Sequence, residues 1–137
     1  SREKWYADYQ KRCGFRLMTG FWIEGLFSKN ELMNTPIQGP AFHLLLWSII
    51  RLQEWIDRTK SKVKLIAEIH DSILADVPEN ELQEYLSVSE RIMTVDVAKA
   101  WDWIIVPLWV EAEVCEQNWW GKQQWLKHNG QWQPKAA

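Results

Sequence analysis

Two short segments of the sequence contain the candidate functional residues. The first is Ile69-His70-Asp71-Ser72, in which His70 and Asp71 lie between two apolar runs. A carboxylate held between two strands stays open to solvent and can bind a hard divalent cation, which prefers oxygen ligands. An aspartate in a turn also often accepts hydrogen bonds from backbone amides. Taken alone, these four residues favour an ordinary turn. His70 and Asp71 are more often hydrogen-bonded turn residues than metal ligands.

The second segment is Asn34-Thr35-Pro36-Ile37-Gln38-Gly39-Pro40, which places two amide side chains just before a predicted helix. Amides can donate to the minor-groove acceptors that all base pairs share. A helix N-terminus also favours phosphate. The other interpretation is an ordinary loop and helix cap, in which Pro36 and Gly39 set the turn.

The pattern of apolar residues predicts the helices and strands that surround these two segments. Pro40 suits the first position of a helix, and the apolar pattern continues this helix to about Lys60. Residues 28–35 are mostly polar and predict a loop, within which Glu31 to Met33 could form a helical turn. Val63–Ile69 and Ser72–Val77 predict two strands joined by a tight turn, so His70 and Asp71 should lie at the tip of a β-hairpin.

Outside these segments the pattern predicts further helices and antiparallel strands. Asn80 and Gln83 have capping-box spacing, which predicts a helix start there. Trp101, Trp103 and Trp109 are expected in the core, and the tail after Asn118 gives no clear signal. The fold class is therefore α+β, with these remaining elements: a helix over 3–13, a hairpin of Phe15–Thr19 and Phe21–Leu26, and a last strand over Leu108–Val114.

Length, charge and cysteine content narrow the class of protein. The 137 residues fit one domain, and a net charge of −2 excludes a generally basic, nucleic-acid-coating protein. Residues 1–70 carry 11 Lys and Arg against 7 Asp and Glu, so this half could face a polyanion, although two ordinary solvated faces explain the charges equally well. Two cysteines make no disulfide framework, which favours a reducing compartment, and no apolar run predicts a membrane span.

Taken together, the two segments resemble the C-terminal palm of the DNA polymerase I family, also called family A. In that family an Asn-x-Pro-Ile/Met-Gln-Gly segment precedes a long helix, and a strand–His-Asp–strand hairpin follows; here Asp71 lies 33 residues after Gln38. The details Ala41-Phe42-His43 and His70-Asp71-Ser72 look more like phage members. Three further segments are similar to the family: Cys13-Gly14-Phe15 through Gly20, Val106 to Glu111, and Gln117-Asn118-Trp119.

The resemblance implies a function and roles for individual residues. It implies a piece of a DNA-directed DNA polymerase with an antiparallel palm-type sheet against helices. Asp71 would be one of two aspartates that hold catalytic Mg²⁺, and His70 would contact the backbone near the primer terminus. Gln38 and Asn34 would lie in the minor groove of newly formed base pairs. The implied segments are 1–33 (helix and hairpin), 34–60 (minor-groove loop and long helix), 61–120 (metal-site hairpin, helix and last strand) and 121–137 (tail).

The chain also departs from the family pattern. Ser72 replaces the usual Glu, and Asn30, beside Lys29, stands where the family has an Arg on the primer strand. The segment with the second metal aspartate and the fingers helix that binds the nucleotide have no match here. The two-metal site would therefore be completed by an aspartate outside this chain. The expected partners are primer-template DNA, dNTP and the remaining polymerase chain, in a bacterial or phage-infected host cytoplasm, and the chain alone should be inactive.

Two other functions remain open at this point. Ser72 favours a piece of a phage-type single-subunit RNA polymerase, in which His-Asp-Ser occurs in the equivalent hairpin. A non-catalytic α+β interaction module, with a tryptophan-rich surface for a partner, is the alternative from another class.

Overall fold

The computed structural model describes residues 2–136, and for Arg2 the backbone alone. Two compact units divide the chain, residues 1–46 and 47–137. The helices are α1 (Arg2–Arg12), α2 (Lys29–Thr59), α3 (Leu82–Arg91) and α4 (Val97–Ala100). The strands are β1 (Gly14–Arg16), β2 (Trp22–Glu24), β3 (Lys64–Ile69), β4 (Ser72–Asp76), β5 (Ala112–Val114), β6 (Gln123–His128) and β7 (Gln131–Pro134).

The first unit forms a small aromatic core between α1, the β1–β2 hairpin and the first turns of α2. Tyr9, Phe15, Leu17 and Leu32 are its buried residues. The hydroxyl of Tyr9 donates to the carbonyl of Gly25 and accepts the backbone N–H of Phe27 at 2.9 Å. These bonds fix the segment that leads into α2. The predicted helix over 3–13 and the hairpin around Gly20 are confirmed.

The start of α2 corrects the prediction of a loop over residues 28–35, because the helix begins at Lys29 rather than at Pro40. Ser28 and Glu31 form a capping box: the N–H of Ser28 donates to Glu31 Oε2 at 2.8 Å, and the N–H of Glu31 to Ser28 Oγ at 3.4 Å. The pKa of Glu31 is lowered, chiefly by the hydrogen bond that its carboxylate accepts from the backbone N–H of Ser28. Leu32, fully buried one residue later, holds this turn against the core although Pro36 and Pro40 each remove a helical hydrogen bond.

The second unit packs the later part of α2 and α3 around the β3–β4 hairpin. Its core contains Leu52, Trp55, Ile56, Val63, Tyr85 and Ile92. Burial raises the pKa of the Tyr85 hydroxyl. The long helix is less enclosed on one side than its apolar pattern predicts, because Leu46 and Ile50 are exposed.

The third helical stretch begins differently from the prediction. A 3₁₀ turn over Glu79–Glu81 precedes α3, and Asn80 makes no side-chain cap, so the predicted capping box is wrong. The side-chain amide of Gln83 instead forms hydrogen bonds with the backbone of Trp132. Beyond α3 the helix continues through a π-helical segment, Ile92–Asp96, into α4.

The C-terminal region forms a three-stranded antiparallel sheet in the order β5-β6-β7. The last predicted strand, Leu108–Val114, is therefore shorter than expected, since only Ala112–Val114 pairs with a neighbour. The tail that the pattern left unassigned supplies the other two strands. Asn129 and Gly130 join them with positive φ angles of 50° and 83°, as a type I′ turn requires.

The α+β class is confirmed, and every strand pair is antiparallel. The strands of residues 2–136 form three separate antiparallel sheets. Trp109 is 80% exposed, so its expected place in the core is wrong, whereas Trp101 and Trp103 are half-buried. None of the described helices is both long and apolar enough to cross a membrane.

Candidate metal and nucleic-acid contact residues

His70 and Asp71 form the two-residue turn of the β3–β4 hairpin, as predicted. Ile69 pairs directly with Ser72, so the turn holds only these two residues. His70 has a φ of 59°, the left-handed conformation that such a tight turn needs. A bulge at Ile66, between Leu65 and Ala67, breaks the alternation of β3 just before the turn.

The carboxylate of Asp71 is exposed at this turn. Its one hydrogen-bonding contact among the described residues is long: Ser72 Oγ lies 3.5 Å from Asp71 Oδ1. Oxygen ligands of this kind suit Mg²⁺. Residues 2–136 contain no group of three or more His, Cys, Asp or Glu side chains that could hold a metal ion. Asp71 thus offers a single carboxylate, and a two-metal site would need further carboxylates.

Asn30, Asn34 and Gln38 lie on one face of α2, at positions i, i+4 and i+8. All three side chains are exposed, and none takes part in a hydrogen bond within residues 2–136. We call this row the amide stripe. Lys29, the first residue of the helix, is exposed beside it. The prediction that Asn34 and Gln38 lie in a loop before the helix is wrong, because both lie within it.

Close packing of α2 supports the position of the amide stripe. A Cβ on Gly39 would lie 2.8 Å from Leu17 Cδ1, so the absence of a side chain lets this turn of the helix approach the core. On the same helix His43 is held by Thr19, whose hydroxyl lies 2.7 Å from His43 Nδ1. The ring of Phe21 lies against that of His43, with centroids 4.1 Å apart and planes tilted by 36°. These contacts hold the part of the helix that follows Gln38 against residues 17–21.

The structure thus brings the predicted residues together in two sets. His70 and Asp71 are neighbours at one turn, in the unit of residues 47–137, and the amide stripe belongs to the unit of residues 1–46. Sequence reasoning missed the inclusion of Asn30 in a continuous helical row. The signal that would have found it was the Ser28-x-x-Glu31 capping box, which marks the true helix start.

Comparison with known proteins defines the class to which these features belong. The sequence profile of DNA polymerase family A matches residues 22–121, which include the amide stripe and the His70-Asp71 turn. The match covers more than half of the chain. This chain belongs to DNA polymerase family A.

Individual relatives agree with this assignment. DNA polymerase I of Lactococcus lactis subsp. cremoris is 34% identical over 67 residues, which are 49% of this chain and 8% of that protein. DNA polymerase I of Bacillus subtilis is 29% identical over 91 residues, 64% of this chain and 10% of that protein. The DNA polymerase of Bacillus phage SP01 is 30% identical over 66 residues, 48% of this chain and 7% of that protein. No solved structure matches significantly. The matched region spans a tenth or less of the length of these relatives.

Proposed function

We propose that this chain is the C-terminal part of the palm of a DNA-directed DNA polymerase, and that it is active only together with the rest of the polymerase. The observation that carries the proposal is the two-residue His70-Asp71 turn, which exposes a carboxylate in a chain of family A. The relatives that match this region are DNA polymerases, which favours DNA synthesis over the phage-type RNA polymerase that Ser72 suggested.

In this proposal Asp71 is a metal ligand of the nucleotidyl-transfer site. Mg²⁺ would supply charge stabilisation for the attacking and leaving oxygens. The part of Asp71 is to present a fixed anionic oxygen at the end of a rigid hairpin. Because no other ligand cluster lies within residues 2–136, a second aspartate from the remaining polymerase chain completes the site. His70, its neighbour in the turn, would contact the backbone near the primer terminus.

The amide stripe is the proposed contact with the primer-template duplex. Successive members are four residues apart, so they rise about 6 Å along the helix. This rise approaches two steps of about 3.4 Å along a DNA strand. Amides of Asn34 and Gln38 could therefore donate to minor-groove acceptors of base pairs two steps apart, and these acceptors are alike for all sequences. Asn30 and Lys29 would lie toward the primer backbone, where Lys29 offers a positive charge.

The proposed partners follow from this role. They are primer-template DNA, the incoming dNTP and the polymerase segments that carry the second aspartate and the fingers helix. The protein would work where bacterial or phage DNA is replicated, in the bacterial or infected host cytoplasm.

The test is Asp71→Asn in the assembled polymerase, with primer extension by dNTPs as the readout. We expect the extension rate to fall by several orders of magnitude, because the substitution removes a metal ligand but keeps the size of the side chain. Primer-template binding, measured by fluorescence anisotropy, should stay close to that of the unaltered enzyme.

Asp76→Asn is the matched control, because Asp76 is an exposed aspartate at the other end of β4, opposite Lys64. It should leave extension unchanged. If Asp71→Asn extends primers as fast as this control, Asp71 is a plain turn residue, and the chain is better explained as a non-catalytic interaction module derived from a palm.

A further inference from the structure

A solvent-open cleft lies within the second unit, between the later turns of α2 and the helical stretch that runs from α3 to α4. Its volume is about 460 Å³. This is within the range of about 300–1,000 Å³ that is typical of ligand sites. It is separate from the hairpin turn and the amide stripe, since neither contributes a lining residue. The residues that matter for its chemistry are Trp47, Arg51, Arg58, Arg91, Ile92 and Lys99.

The lining of the cleft is positive in a unit that is negative overall. Four cationic and two acidic side chains line it. Residues 47–137 as a whole carry 10 Lys and Arg against 14 Asp and Glu. A cleft of this sign attracts anions, and the field is strongest where solvent is partly excluded.

Two of the cations are available for a ligand. Arg51 pairs with Glu54 at 2.7 Å, and Arg91 pairs with Asp96 at 3.3 Å. Arg58 and Lys99 form no ion pair with any described residue, and both are exposed. Both line the cleft, Arg58 from α2 and Lys99 from α4. An anion in the cleft could thus be bound from two sides.

The walls of the cleft also contain an aromatic surface and a π-helical segment. Trp47 is half-buried, packs edge-on against Trp101 with centroids 5.9 Å apart, and has the Arg51 guanidinium 5.1 Å above its ring. Aromatic and guanidinium planes are surfaces on which nucleobases stack. The π-helical segment Ile92–Asp96 forms part of the opposite wall. Such segments occur frequently at functional sites.

We infer that this cleft is a second nucleic-acid contact, which binds the phosphodiester backbone of a single strand through Arg58 and Lys99. A single strand can place a phosphate between the two cations and a base against Trp47 and Arg51. The inference does not depend on the role proposed for Asp71, because it concerns binding at other residues.

The experiment compares this chain with its double variant Arg58→Gln, Lys99→Gln. Binding of a fluorescein-labelled single-stranded oligothymidylate is measured by anisotropy over a series of salt concentrations. Each phosphate contact contributes about −0.7 to the slope of log K against log[salt] for single strands. Loss of two contacts should weaken binding and make the slope shallower by about 1.4. Both side chains are exposed, so circular dichroism should show an unchanged fold.

Lys62→Gln with Lys64→Gln is the control, since it removes the same charge from two exposed lysines outside the cleft. An equal change in slope for both double variants would overturn the inference, because the effect would then come from overall charge. A third variant, Trp47→Leu, should weaken binding of the oligonucleotide without changing the salt slope.

Inorganic pyrophosphate tests whether the cleft binds the phosphates of a nucleic-acid strand or those of a free phosphate compound. Its binding is followed by phosphorus NMR. If the cleft binds a nucleic-acid strand, pyrophosphate competes only weakly with the oligonucleotide. The double variant at Arg58 and Lys99 then shows the shallower salt slope for oligonucleotide binding. If the Arg58 and Lys99 variant loses pyrophosphate binding but keeps the oligonucleotide slope, the cleft binds free phosphate compounds and the assignment to nucleic acid is wrong.

Discussion

Gln83 on α3 and Trp132 on β7 are joined by two hydrogen bonds. The amide nitrogen of Gln83 donates to the carbonyl of Trp132 at 2.7 Å, and the N–H of Trp132 donates to Gln83 Oε1 at 3.0 Å. Trp132 is buried, and Lys127 of the neighbouring strand pairs with Glu90 of the same helix. The C-terminal hairpin is thus fixed to α3, although all of it lies beyond residues 22–121, which match the family.

Gln83→Ala should lower the free energy of unfolding by about 2 kcal/mol, because a buried backbone donor and acceptor lose their partner together. Urea unfolding measures this loss of stability. NMR should also show that the amide hydrogen of Trp132 exchanges faster in the variant. Gln117→Ala is the control, since Gln117 is exposed and makes no hydrogen bond with a described residue; it should stay within about 0.5 kcal/mol. Equal effects of the two variants would show that the bonds to Trp132 contribute nothing.

The capping box at the start of α2 predicts a pH dependence. The pKa of Glu31 is lowered from its ordinary 4.5, chiefly by the hydrogen bond from the Ser28 N–H. The charged form is therefore favoured by folding, so its stabilisation is present above pH 4.5 and is lost as the pH falls through the lowered folded value.

Glu31→Gln tests this, because Gln keeps a capping oxygen without the charge. Thermal unfolding should show that the variant is less stable than the unaltered chain at neutral pH and equal to it in strong acid. Glu79→Gln should show no such convergence. A gap for Glu31→Gln that stays constant across this pH range would contradict the role of the charge.

Gly130→Ala should destabilise the β6–β7 turn for reasons of backbone conformation alone. The φ of Gly130 is +83°, and a Cβ there would meet no atom within 4 Å. We therefore expect a loss of about 1–2 kcal/mol from the left-handed conformation and none from a clash. Gly130→Asn should cost less, because Asn tolerates this region better. Urea unfolding followed by tryptophan fluorescence measures both, and equal losses would point to another cause.

Gln38→Ala in the assembled polymerase should weaken extension, and most strongly from a mismatched primer end. One neutral hydrogen bond is worth about 0.5–1.5 kcal/mol, or roughly a 2- to 10-fold change in rate. The dependence of extension on Mg²⁺ concentration should not change. Gln53→Ala, on the same helix, removes an exposed amide that bonds Asp57 and should have no effect. If rate and fidelity are unchanged in both variants, the proposed minor-groove contact is wrong.

The parts of the fold that the sequence predicted are those with local signals. Two apolar runs separated by two residues sufficed for the β3–β4 hairpin, since a gap of that length permits little except a tight turn. The start of α2 was predicted wrongly because residues 28–35 are mostly polar and Pro40 suits the first position of a helix. The burial of Leu32 and the capping box at Ser28 outweigh the bonds that the prolines remove. The signal for the β6–β7 hairpin, Asn129-Gly130, was present but unused.

The sequence alone predicts the turn that presents Asp71, the four-residue spacing of Asn34 and Gln38, and the resemblance to family A, because each depends on neighbouring residues or on short motifs. The burial of Leu32, which holds the first turns of α2 against the core, and the position of Arg58 and Lys99 at one cleft are seen only in the folded chain. Those two cations are 41 residues apart in the chain. Only the packing of α2 against the α3–α4 stretch brings them together, since burial of apolar side chains acts between distant segments that no local pattern connects.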